Sequence, residues 1–131
     1  MMIFDGHADL LYDVTKWRQA GEDRVFERRH LPRLQAGQIG GLGLSIWTTV
    51  EQDSIWSAHP DWDGWRRTEE MMACAREELA ECPWLALVRT AAEARKATSC
   101  PSITIFRFML MRFHLHQYSF WQWSAYIQRH T

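Results

Sequence analysis

The chain has 131 residues, a formal net charge of −1 and an apolar fraction of 47%. That length suits one ordinary domain, which buries roughly two-thirds of the surface its unfolded form exposes. The near-neutral charge excludes both a basic polyanion binder and an acidic disordered chain, so the composition indicates no nucleic-acid partner.

Cys74, Cys82 and Cys100 match neither a zinc knuckle nor a Cys-x-x-Cys redox pair, which points to a reduced intracellular protein. Residues 1–4 are apolar but too few for a signal-peptide core, and Asp5 follows without a basic flank. The most apolar later stretch, residues 103–115, is broken by Arg107, Arg112 and His114 short of the ~20 residues a spanning helix needs. A cytoplasmic chain without a membrane partner is the expectation.

In chain order, residues 1–4 predict a buried strand that stops at the Asp5-Gly6 turn. Leu10, Leu11, Val14 and Trp17 then recur at helical spacing over residues 8–17, and Gly21 closes that helix. Pro32 suits the first turn of a brief helix over residues 30–36, with Gly37 as its left-handed cap. Residues 39–50 predict a second strand in which Gly40 and Gly41 permit close backbone approach. A Trp-, Asp-, Ser- and Pro-containing loop spans residues 51–64.

Met71, Met72, Ala75, Leu79 and Cys82 mark an amphipathic helix over residues 65–82, stopped by Pro83. Residues 84–88 predict a third strand and residues 91–97 a short helix. Strand and helix alternate, so the expected class is α/β with parallel strands in a layer or barrel.

The composition changes after Thr98. Glu93 is the last acidic residue, and beyond it come aromatic residues, arginines and histidines. A folded surface normally mixes both charge signs. The chain therefore divides into residues 1–98 and a divergent tail, residues 99–131. A competing reading makes this basic, aromatic tail a non-catalytic module for a membrane surface or single-stranded nucleic acid. Against it, a helix over residues 106–126 would have no clear amphipathic face.

The segment richest in chemistry is Asp5-Gly6-His7-Ala8-Asp9. Residues two apart at a strand end point the same way, so His7 and Asp9 can offer an imidazole nitrogen and a carboxylate oxygen to one cation. Taken alone, the triplet reads more economically as a solvated turn histidine beside a helix-capping aspartate. Its place at the carboxyl end of the first strand favours the metal, because ligands collect there in parallel barrels.

The run from Asp5 to Asp13 is similar to the opening of the membrane (renal) dipeptidase family. Glu27-Arg28-Arg29-His30-Leu31-Pro32-Arg33-Leu34, Gly37, Gly40-Gly41-Leu42 and Ser45-Ile46-Trp47 resemble that family's next helix and strand in the same order. The resemblance covers about residues 2–97. It implies the amino-terminal portion of a TIM-like (β/α) barrel and a binuclear zinc centre that hydrolyses dipeptides with a metal-activated hydroxide. His7 and Asp9 would bind one zinc.

The family pattern also implies a bridging glutamate after the third strand, two later histidines and an aspartate near the last strand. None of these has a match here, so no catalytic or substrate-binding residue is assigned. Glu93 falls in a helical run and takes no bridging role, and the spacing of His114 and His116 is read as chance. The expected state is a truncated, inactive fragment whose tail after about residue 98 is divergent or out of frame. It would self-associate through an open barrel edge, since closing a barrel takes about 250 residues.

Trp47, Trp56, Trp62 and Trp65 are read as core and loop packing rather than a substrate mouth. Arg28 and Arg29 are read as a solvated charged face.

Overall fold

The computed structural model describes residues 3–48, 55–97 and 103–110. Strand β1 (Ile3–Ala8) leads into helix α1 (Leu10–Gln19). A π-helical turn (Phe26–His30) runs directly into α2 (Leu31–Ala36), and β2 (Ile39–Ile46) follows. A 3-10 turn (Ile55–Ala58), α3 (Gly64–Glu81), β3 (Leu85–Val88), α4 (Ala91–Ala97) and β4 (Ile103–Leu110) complete the order.

The strands pair in parallel in the order β1-β2-β4-β3. The architecture is thus the expected α/β type, an incomplete barrel: among the described residues, β1 and β3 each have one paired edge. The third strand in sequence does not lie beside β2. The longer β4, from the stretch beyond residue 98, takes that place and pairs Leu42 with Ile105 and Ile46 with Leu110. Residues 111–131, with His114, His116 and most of the aromatic tail, lie outside the described residues.

Strand β2 is central because both its faces are covered; Leu42, Leu44, Ser45 and Ile46 are all buried. A parallel strand of this kind needs small or apolar residues throughout, as Gly41-Leu42-Gly43-Leu44-Ser45-Ile46 provides. Helix α1 lays Leu11 and Val14 into the core, and α3 adds Met71, Cys74 and Ala75. Asp63 caps α3 by accepting from the Arg66 amide at 2.8 Å. Pro83 follows its end, as the sequence predicts.

Two local expectations change. β1 is neither buried at its start, where Ile3 and Phe4 are exposed, nor ended at Phe4: it runs on to Ala8, because Asp5 pairs with Leu42 and Ala8 with Leu44. Gly37 is not left-handed (φ −79°); Gln38 takes that conformation instead, with φ 56°.

The helical layer is tied together by a buried acid. Glu78, 2% exposed on α3, accepts from the Val25 amide at 3.0 Å and the Phe26 amide at 2.8 Å. These are amides at the start of the π-helical turn, which have no partner within it. Arg18, in the last turn of α1, reaches Glu78 at 2.5 Å, Glu77 at 2.8 Å and Glu81 at 3.0 Å. The bond to Glu81, acting with Glu78 against the cost of burial, holds the Arg18 proton more tightly than usual.

Removing one partner of a buried pair leaves the other uncompensated. Glu78→Ala should therefore cost about 3 kcal/mol or more in urea unfolding, with Glu78→Gln falling between it and the unsubstituted chain. An unchanged urea midpoint for Glu78→Ala would contradict this account of the helical layer.

Candidate metal-ligand pair at the end of β1

The geometry begins with a β-bulge. Asp5 pairs with Leu42 and Ala8 with Leu44, so β1 advances three residues while β2 advances two, and the extra residue lies at Gly6-His7. A bulge bends its strand and re-aims the side chains after it. The backbones come very close here: a Cβ on Gly43 would sit 2.6 Å from the Gly6 carbonyl oxygen and 3.1 Å from its carbon. Asp5 steadies the bulge, its Oδ1 accepting from the His7 amide at 3.0 Å.

Beyond the bulge His7 Nε2 lies 3.2 Å from Asp9 Oδ1, with the two side chains 38% and 47% exposed. The same Asp9 oxygen accepts a hydrogen bond from the Ser45 hydroxyl on β2, and the Ser45 oxygen is also 3.2 Å from the Ala8 carbonyl. Asp9 stands at the cap position of α1, yet its carboxylate makes no capping hydrogen bond. Its carbonyl accepts from Tyr12 instead, at 3.1 Å. The helix-cap reading of Asp9 therefore fails, because the carboxylate is turned toward His7 and Ser45.

The pair fits the chemistry of a zinc ligand set. Donor atoms each about 2.0–2.2 Å from a tetrahedral zinc lie roughly 3.3–3.5 Å apart, so His7 and Asp9 need little movement to share one ion. Among the described residues no group of three or more His, Cys, Asp or Glu side chains could hold a metal. Glu93 is engaged elsewhere. It accepts from the Thr90 amide at 3.2 Å, while its own amide donates to the Thr90 hydroxyl at 3.2 Å, a capping box for α4.

The neighbouring aromatic loop is largely packing. Trp56 is fully buried and donates to the Trp47 carbonyl at 3.4 Å, and Trp62 packs against Trp56 and stacks on His59. Arg28 is exposed beside Asp23, and Arg29 pairs with Glu22 while its guanidinium covers the Trp17 ring. These residues do not join His7 and Asp9.

Sequence reasoning missed Asp5, Gly43 and Ser45 as organisers of the pair. A serine and a glycine two apart within an apolar strand were the available signal. It also missed Arg67, 8% exposed, whose Nη1 donates to the Thr48 carbonyl at 3.1 Å just past β2. Burial lowers its pKa, with Asp63 opposing the shift.

No protein-family model matches this sequence, and no curated protein matches it. The fold is similar to that of dipeptidase AC, a metallopeptidase, with a TM-score of 0.61 and 18% identity over 82% of this chain and 35% of that one. It is also similar to a metallopeptidase from Rhodobacter sphaeroides liganded with a phosphinate mimic of the dipeptide L-Ala-D-Ala. There the TM-score is 0.61 and the identity 19%, over 84% of this chain and 38% of that one. The chain spans little more than a third of either structure. Its fold is that of the amino-terminal part of the dipeptidase barrel, left unclosed. No helix among the described residues is long and apolar enough to cross a membrane.

The Gly6–Gly43 contact makes a direct test possible. Gly43→Ala would set a methyl group against backbone that cannot rotate away, at an expected cost of about 1–3 kcal/mol in denaturant unfolding. The loss should come with shifted amide resonances at His7 and Asp9; a neutral substitution with unmoved resonances would refute the close approach.

Proposed function

We propose that this chain carries the first pair of metal ligands of a zinc-dependent, dipeptidase-like peptidase, with His7 and Asp9 as that pair. The observation that carries the reading is the 3.2 Å approach of His7 Nε2 to Asp9 Oδ1 at the carboxyl end of β1. That is where ligand groups collect in a parallel barrel. The likeness to two metallopeptidase folds supports the class.

An imidazole nitrogen and a carboxylate oxygen are ordinary zinc donors. Zinc held by His7 and Asp9 would supply Lewis-acid activation of a water for attack on a peptide carbonyl. The residues present do the positioning: the bulge aims His7, Asp5 holds the His7 backbone, and Ser45 fixes Asp9. A dipeptide is the proposed substrate class of the complete enzyme, since a dipeptide mimic is the ligand of one similar structure.

Catalytic zinc normally takes three protein ligands and keeps an open position. The sequence contains no carboxylate after Glu93, so Ile103–Leu110, which lies beside β2, supplies no bridging group. This chain by itself should bind zinc weakly, lose that binding in His7→Ala, and show no turnover of a dipeptide such as L-Ala-D-Ala with zinc in excess. Calorimetric titration and a ninhydrin assay read the two outcomes. Zinc uptake indifferent to His7→Ala would reject the ligand assignment. Turnover abolished by His7→Ala would show that a full ligand set is present after all, and would reject the inactive state.

A further inference from the structure

We infer that Ser45 is the positioning residue for Asp9, holding its carboxylate in the orientation that lets it share a cation with His7; the inference rests on the ligand reading above. Ser45 lies on β2 two residues beyond Gly43, so the two positions lie on the same face of the sheet. At Gly43 the strands touch through backbone. At Ser45 β1 has already passed its bulge, and the side chain reaches both the Ala8 carbonyl and the Asp9 carboxylate.

The hydroxyl has one proton to give. A hydrogen bond to an ionised oxygen is stronger than one to a neutral carbonyl, so the proton goes to Asp9 and the Ala8 contact at 3.2 Å is the weaker alternative. Ser45 is itself 1% exposed and fixed in the central strand, whereas the Asp9 side chain is 47% exposed. A half-exposed carboxylate otherwise samples several rotamers and loses that freedom on binding an ion. The serine imposes the ordering beforehand. Oδ1 faces both His7 and Ser45, and a carboxylate oxygen that accepts the hydroxyl proton on one lone pair keeps another to offer an ion beside His7.

The position of Asp9 at the head of α1 sharpens the role. An aspartate there has the helix amides as competing partners. The carboxylate makes no capping bond, and the contacts that hold it elsewhere are those to His7 and Ser45.

The test compares the unsubstituted chain with Ser45→Ala, which removes the hydroxyl at almost constant volume, and Ser45→Thr, which retains it. Zinc titration gives affinity, three-bond couplings give the Asp9 side-chain rotamer, and urea unfolding gives stability. In Ser45→Ala zinc affinity should fall about 10–100-fold, the range typical of lost outer-shell partners, and Asp9 should lose its single rotamer. The urea midpoint should move little, and Ser45→Thr should restore both the affinity and the rotamer.

Ser45→Ala with unchanged affinity and rotamer overturns the proposal. So does a loss of the Asp9 rotamer in Ser45→Thr as large as in Ser45→Ala, which would trace the effect to packing rather than to the hydroxyl. Should the unsubstituted chain take up no zinc, the ligand reading fails on its own, and the Asp9 rotamer in the two variants still decides whether Ser45 positions it.

Discussion

Strands β1 and β2 approach so closely at Gly6 and Gly43 that a side chain on Gly43 would meet the Gly6 backbone. The extra residue of β1 is accommodated opposite Leu42–Leu44, and β4 carries an extra residue of its own opposite Gly43–Ser45. Both neighbours of the central strand are therefore bulged beside the same few residues. Bulges bend strands and raise their twist, as the start of a barrel wall requires. The same distortion turns His7 out of the ladder and brings Asp9 to Ser45. The irregular register beside β2 and the placement of His7 beside Asp9 have one local cause.

Helix α1 joins this pair to the rest of the molecule. It begins at Leu10, directly after Asp9, and its last turn carries Arg18 into the Glu77, Glu78 and Glu81 cluster on α3. A cation in that turn also complements the negative end of the helix dipole. Glu78 sits in the same buried row as Met71, Cys74 and Ala75, so α3 contributes a charge where its pattern otherwise places apolar groups. That charge is offset by Arg18 and two backbone amides. The core beneath the sheet and the position of the α1 head are consequently coupled through one helix.

Much of this was legible in the sequence because it depends on periodicity. The spacing of Leu11 and Val14 and the α3 row gave helices that meet the sheet with those faces, and the Asp5-to-Asp9 segment gave the strand end where His7 and Asp9 converge. What periodicity does not encode was missed. Asp5-Gly6 has turn chemistry, yet tertiary pairing drew it into β1 as a bulge. The π-helical turn at Phe26–His30 has no local signal, because Glu78, about fifty residues later in the chain, anchors its first amides. The place of β4 between β2 and β3 is likewise a long-range outcome. Ser45 looked like one small residue in an apolar run, and its role appears only when the Asp9 carboxylate is seen turned toward it.

The proposal that His7 and Asp9 are two ligands of one ion rests on their 3.2 Å approach at the end of β1. Anomalous diffraction at the zinc edge from crystals grown with zinc addresses it most directly. The account predicts a peak within about 2.0–2.2 Å of both His7 Nε2 and an Asp9 carboxylate oxygen, with Ser45 still hydrogen-bonded to the carboxylate. A zinc peak bound elsewhere on the chain, with the His7–Asp9 contact intact, would contradict it.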